Sequence, residues 1–298
     1  MRRATRATAD RRRGAVRRRV VKRLRLPPDY PAEVAAFACD LDGTLIGRDA
    51  TLRPRLRAAI ARSQEAGIPV LVATGRMFRS VRPYLDQVGI EEPVICYQGA
   101  AIVRPRAADW LFHAPLELDL AREAIAALER AGCFPNVYVD DELYVARHTA
   151  YSRAYADFQQ LPVTEVGDLL EWLSRAPTKL VTVGDPEALP PLRDALRAQF
   201  GDRLFVTTSL PTLLELGNRD VSKGTGLRFV TDELGLDLER VVAFGDGEND
   251  LELLEMAGFG VAIVGGHPLL LEQADTTCPG PADDGVAAMI DATLDLLA

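Results

Sequence analysis

Two aspartates separated by one residue, Asp40 and Asp42, close an apolar run that begins at Val34, and Gly43-Thr44 follows at once. Apolar runs of this length bounded by turn residues read as buried strands. Side chains at i and i+2 of a strand share a face, so both carboxylates start on one side, at the strand's C-terminal end. Gly43 breaks the strand and lets the backbone approach a ligand. Two carboxylates on one site repel, so one takes a proton or a cation sits between them, and oxygen-only ligands suit a hard ion such as Mg2+. Taken alone, an Asp-x-Asp pair is equally well a solvated turn.

The elements that would position such a site come from the patterning around it. Strands are expected at 34–40, 68–73, 93–97, 241–244 and 260–264, with helices at 52–66, 76–88 and 224–234 between them. Strands alternating with helices of 10–15 residues indicate a parallel α/β sheet. The middle of the chain breaks that alternation. It offers helices at 118–131 and 189–200 and strands at 136–146, 178–183 and 204–208, with a turn at Asp140-Asp141. The expectation is an α/β core, 31–114 and 208–298, with an inserted α+β cap at 115–207. A strand at 213–216 is expected to return to the core.

Ligands of open parallel sheets bind beyond the carboxyl ends of the strands. That edge gathers Asp40 and Asp42, then Thr74 and Gly75 after the second strand, then Asp246, Asn249 and Asp250 after the late one. Lys223 opens a helix, where a cation joins unpaired backbone N–H groups to make an anion site. Thr74 could instead be only a helix cap, and Asp250 only a first-turn acid. Lysine is rare, with Lys22, Lys179 and Lys223 against 32 arginines, so a lysine in the body invites a specific role. Lys179 and Glu215 are secondary candidates, Glu215 for ordering Lys223 or the sheet edge. His113, His148 and His267 have no partners at ligand spacing.

The net charge of −8 conceals an asymmetry. Residues 1–28 hold 12 Lys/Arg and one acid, leaving the body with 23 basic and 42 acidic residues. An acidic body argues against nucleic acid as its main partner. Residues 1–30 are expected to form a disordered arm, or a tail that touches an anionic surface. No apolar stretch reaches the roughly 18 residues of a membrane span, and none after the basic segment suits a secretory leader. The four scattered cysteines show no metal-ligand spacing, and Cys39 and Cys96 fall in strand-like runs, so reduced thiols and a cytoplasmic location are expected.

Four segments in order, DLDGTL (40–45), ATGR (73–76), SKG (222–224) and GDGENDLELL (245–254), resemble the motifs of the haloacid dehalogenase superfamily. The large insertion between the second and third is similar to that of its Cof-type branch, and Asp283-Asp284-Gly285-Val286-Ala287 resembles that branch's late D-G-V-A segment. The resemblance spans 34–295. It implies a Rossmann-like core with an α+β cap and a Mg2+-dependent phosphatase of small phosphorylated metabolites. By the same resemblance Asp40 is the nucleophile and Asp42 the general acid and base. Asp40, the Asp42 carbonyl, Asp246 and Asp250 hold or surround the metal, and Gly43, Thr74, Gly75, Lys223 and Asn249 hold the phosphoryl group. Sugar phosphates, nucleotides and phosphorylated cofactors all remain open as substrates. A phosphosugar mutase, a phosphatase dedicated to one sugar phosphate and a non-catalytic binding protein are the alternatives. Two departures from the family pattern stand out: Gln98 where Asn is usual, and Ile263-Val264-Gly265-Gly266-His267 where Met-Gly-Asn-Ala is usual.

Overall fold

The computed structural model describes residues 25–297, so nearly all of the expected basic arm lies outside the described residues. In chain order the elements are β1 (Ala36–Cys39), α1 (Pro54–Glu65), β2 (Val70–Val72), α2 (Phe78–Val88), β3 (Val94–Cys96), β4 (Ala101–Arg104), β5 (Asp109–His113), α3 (Leu118–Arg130), β6 (Asn136–Val139), β7 (Glu142–Val145), α4 (Ala150–Gln159), β8 (Thr164–Glu165), α5 (Leu169–Trp172), β9 (Lys179–Val183), α6 (Leu189–Phe200), β10 (Phe205–Leu210), β11 (Leu213–Gly217), α7 (Lys223–Leu234), β12 (Val241–Gly245), α8 (Leu251–Met256), β13 (Phe259–Ile263), α9 (Pro268–Gln273), β14 (Thr276–Cys278) and α10 (Gly285–Leu297).

Five strands form a parallel sheet in the order β14-β13-β12-β1-β2. β1 lies between β12 and β2, and all four of its residues are buried. Central parallel strands are covered on both faces, which is why they read as unbroken apolar runs. Phe37 and Cys39 pack into one apolar cluster, Ala36 and Ala38 into another.

The strand expected at 93–97 does not extend this sheet as a full parallel member. β3 pairs antiparallel with β4, and β4 with β5, while a single parallel bridge, Ala73 with Ile95, ties β3 to the end of β2. Left-handed backbone at Tyr97 and Gln98 (φ 53° and 60°) turns the chain back on itself.

The inserted region is a six-stranded sheet ordered β10-β11-β9-β6-β7-β8. Asp140 and Asp141 form the β6–β7 hairpin turn, both with positive φ (51° and 58°). Here the expected return strand needs correction. β11 lies between β10 and β9, antiparallel to both, so the chain leaves the cap sheet after Gly217 rather than at 207. An apolar run states that a strand is buried, not which sheet buries it.

Period-two alternation gives the cap sheet two different faces. Val137, Val139, Leu180, Leu214 and Leu216 pack against α3, α5 and α6. Tyr138, Val181 and Leu213 point the other way and join the apolar cluster of the core. Lys179 shares the face of Val181, and Glu215 that of Leu213, so strand register alone aims both charged groups at the core sheet's carboxyl edge. Among the described residues no helix is long and apolar enough to cross a membrane.

Candidate active site

Asp40 is the first residue beyond β1, and its N–H donates to the carbonyl of Phe244 on β12 at 2.9 Å. Its Oδ1 accepts from Lys223 Nζ at 2.5 Å. Lys223 is fully buried and also donates to Asp250 Oδ1 at 2.6 Å. The lysine is held by its helix: it opens α7, where Ser222 and Thr225 cap one another reciprocally. Asp250 is held in turn, its Oδ2 accepting the N–H groups of Asp246 and Gly247 at 3.0 and 2.9 Å.

Carboxylate oxygens of Asp40, Asp246 and Asp250 lie within 4.8 Å of one another. Three carboxylates and one ammonium leave two negative charges on this cluster. A divalent cation fits that balance, and the donors are all oxygen, as a hard ion prefers. Burial pushes Asp40 well above the usual carboxylate range; Lys223 opposes this, while Asp250, Asp246 and Asp42 add to it. Asp246 is pushed up to about 6 by burial and by Asp250, against Lys223 and the Thr44 hydroxyl that donates to it at 3.2 Å. For Lys223, Asp250 and Asp40 outweigh the cost of burial and raise it. Gly43 lies against this cluster at φ +96°, where a Cβ would come within 2.2 Å of Asp246 Oδ2.

The Asp42 side chain stands apart from the three. Arg76 grips it with two bonds, Nε to Oδ2 at 2.6 Å and a terminal nitrogen to Oδ1 at 2.7 Å. That guanidinium is 3% exposed, sits between the rings of Tyr84 and Phe158 at 5.3 and 4.8 Å, and donates to Ser80. Burial disfavours its charge, but Asp42 more than compensates and raises it. Thr74 accepts the Arg76 N–H on its Oγ1 at 3.1 Å, so it shapes the turn after β2.

The cap closes the other wall. Lys179 Nζ reaches the Gly75 carbonyl at 2.7 Å and Glu215 at 2.9 Å. Glu215 therefore orders Lys179, not Lys223. It also accepts from Ser209 at 2.5 Å and Gln98 at 3.2 Å. Burial would raise Glu215, but Lys179, Ser209 and Gln98 hold it below its usual value. Gln98 spans core and cap, since its Oε1 accepts from Asn249 at 3.0 Å while its Nε2 faces Glu215. The extra methylene over asparagine supplies that reach. A Cβ on Gly75 would meet Gln98 Nε2 at 2.4 Å, so the glycine is what makes room. The other departure, 263–267, supports Asp246: the His267 N–H donates to its carbonyl at 2.7 Å.

The cleft thus brings together Asp40, Asp42, Thr74, Gly75, Asp246, Asn249 and Asp250, with Lys223 directly beneath Asp40. None of the three histidines lines it; His113 pairs with Thr178 instead. Sequence reasoning left out Arg76, Ser209 and the α4 residues Tyr155, Phe158 and Gln159, all of which line the cleft. Arg76 sat inside a recognised motif, but among 32 arginines its type carried no signal. About 50 Å³ is free inside the cleft.

Comparison with known proteins places this geometry. The haloacid dehalogenase-like hydrolase family matches residues 37–290. The 5-amino-6-(5-phospho-D-ribitylamino)uracil phosphatase of Bacillus subtilis is 31% identical over 259 residues, covering 85% of this chain and 95% of that one. The pyridoxal phosphate phosphatase of Escherichia coli is 27% identical over 267 residues, covering 85% and 96%. A haloacid dehalogenase-like hydrolase from Bacteroides thetaiotaomicron superposes with a TM-score of 0.78 at 25% identity, covering 87% of this chain and 99% of that one. With an acidic cluster at the sheet's carboxyl edge and a match that runs through both the core and the inserted cap, the chain belongs to the haloacid dehalogenase-like hydrolases, in their Cof-type branch of phosphatases.

Proposed function

We propose that the protein is a Mg2+-dependent phosphatase that hydrolyses a small phosphomonoester through an aspartyl-phosphate on Asp40. The observation that carries this reading is the contrast between two neighbouring carboxylates. Asp40 is buried against Lys223 and the acidic cluster. Asp42 is held away from that cluster by Arg76. Different surroundings let one act as nucleophile and the other as proton carrier.

An Asp40 oxygen attacks phosphorus, and the bond to the ester oxygen breaks. Protonated Asp42 gives its proton to the departing alkoxide. Asp42 then takes a proton from water, whose oxygen attacks the acyl-phosphate and frees inorganic phosphate and Asp40. Arg76 fixes the position of the Asp42 carboxyl with its two bonds. Lys223 neutralises Asp40 and the phosphoryl oxygens, and Thr74 and Gly75, with the backbone at Gly43, line the position of the phosphoryl group. Asp40, Asp246 and the Asp42 carbonyl would hold Mg2+, with Asp250 supporting them, and the ion would supply charge neutralisation for the phosphoryl group. Asn249 acts through Gln98 rather than directly.

The test is phosphate release from a panel of phosphomonoesters, with Mg2+ and with a chelator. The substrates named for the two relatives above lead the panel. Metal-dependent release that vanishes in Asp40→Asn supports the reading, and equal release in that variant refutes it.

A further inference from the structure

Gln159, the last residue of α4, is 3% exposed and lines the cleft with Asp40 and Asp42. Its Nε2 donates to Tyr155 Oη at 3.1 Å, and its carbonyl accepts from Ser80 at 2.9 Å. Its Oε1 is buried and has no hydrogen-bond partner. Among the described residues lining the cleft, no other side chain has a buried polar atom in that condition. A buried acceptor without a donor is costly, so native structures supply one. A ligand in the cleft is the available source.

Two further observations describe that ligand. Arg76 and Lys179 line the cleft, and each is already paired with a carboxylate, Asp42 and Glu215. Neither is left to receive a second anionic group. Beside Gln159, the Phe158 ring stacks on Tyr155 (6.2 Å between centroids, 24° between planes) and remains 36% exposed. Arg76 lies over that ring at 4.8 Å, and the exposed remainder is apolar surface for the carbon atoms of a sugar or polyol chain.

We propose that Gln159 determines substrate specificity: its Oε1 accepts a hydrogen bond from an O–H or N–H of the leaving group, and that group is an uncharged alcohol packed against Phe158. This deepens the phosphatase reading and rests on it for the identity of the reacting phosphoryl group.

The experiment compares kcat/KM for ribitol 5-phosphate, rich in donors, with that for ethyl phosphate, which has none beyond the phosphate. The ratio is expected to fall about tenfold in Gln159→Leu, mainly through KM, the loss typical of one hydrogen bond. Gln159→Glu keeps an acceptor oxygen and is expected to retain the ratio. Fructose 1,6-bisphosphate is expected to be at least about tenfold poorer than fructose 6-phosphate, because its second phosphate finds no free cation. An unchanged ratio in Gln159→Leu, or a preferred bisphosphate, overturns the proposal. Thermal unfolding checks the fold, and Gln159→Met serves if the leucine variant does not fold. If the wild type hydrolyses neither ester, the phosphatase reading has failed, and calorimetric binding of the same two esters decides the inference alone. Tighter binding of ribitol 5-phosphate that Gln159→Leu abolishes upholds it; equal binding of the two overturns it.

Discussion

Asp40 and Asp42 are the same residue type two positions apart, and only their neighbours distinguish them. In a strand they would face the same way. The strand ends at Cys39, before either aspartate, and Arg76 draws Asp42 aside. Asp42→Asn is expected to lower kcat by about 10²–10⁴, the usual worth of a general acid and base, with the protein still folded. Asp40→Asn is expected to form no covalent intermediate, which trapping with labelled phosphomonoester would detect. A pH prediction follows from Glu215. Its carboxyl is held below its unfolded value by Lys179, Ser209 and Gln98 against the cost of burial. Below about pH 4.3 the unfolded chain takes up a proton here before the folded one does. Stability from this group is therefore present above that pH and is lost as pH falls through the lower folded value. Glu215→Gln should flatten urea stability measured from pH 5 down to pH 3; an unchanged slope would refute the assignment. The carboxylates and Lys223 were legible because their types are rare or clustered at strand ends. Arg76 was not, since its role depends on two rings and an acid that the fold delivers.

At the scale of elements, alternation of strand and helix made the parallel sheet readable, whereas strand partners were not. β3 and β11 were both recognised as strands, but β3 meets the parallel sheet only through the Ala73–Ile95 bridge, and β11 belongs to the cap sheet instead of the core. Partner choice depends on what lies beyond the run: positive φ at Tyr97 and Gln98 for β3, and the register with β9 and β10 for β11. Small elements also carry function. The β6–β7 turn presents Asp141 to the start of α2, where it accepts from Phe78 N, Arg79 N and Tyr97 Oη at 3.0, 2.9 and 2.6 Å. A cap-sheet residue thus caps a core helix. Asp141→Ala is expected to cost about 0.5–2 kcal/mol, as lost helix caps do. It should also speed hydrogen exchange in β6 and β7; unchanged exchange there would argue against a docking role. Gly43→Ala combines an unfavourable φ with a Cβ pressed on Asp246. It is expected to lose about 1–3 kcal/mol in urea denaturation and most Mg2+-dependent turnover.

For the molecule as a whole, cap and core meet through polar contacts at the site and through the apolar contacts of Tyr138, Val181 and Leu213. Lys179 makes one of the polar contacts, to the Gly75 carbonyl, and is itself paired within the cap sheet with Glu215, the two side chains being 4% and 5% exposed. Removing one member of a buried ion pair strands the other, so Lys179→Met is expected to cost about 3–5 kcal/mol. Replacing both, as Lys179→Met with Glu215→Leu, should recover most of that loss by denaturant unfolding. If the double variant is as unstable as the single one, the pair is not the source of the cost. The route out of the cap has a consequence of its own. β11 ends at Gly217, and residues 218–222 lead directly into Lys223. Any exchange of caps between relatives therefore has its downstream crossover within five residues of Lys223, the buried partner of Asp40. A chimera joined at 207 would cut β10 and leave β11 out of the grafted six-stranded sheet; one joined at 217 transfers the sheet whole and leaves the lysine in its native frame. A recombination that keeps both the cap sheet and Lys223 in register would have to fall in that short window, so a new specificity would be inherited as an intact cassette.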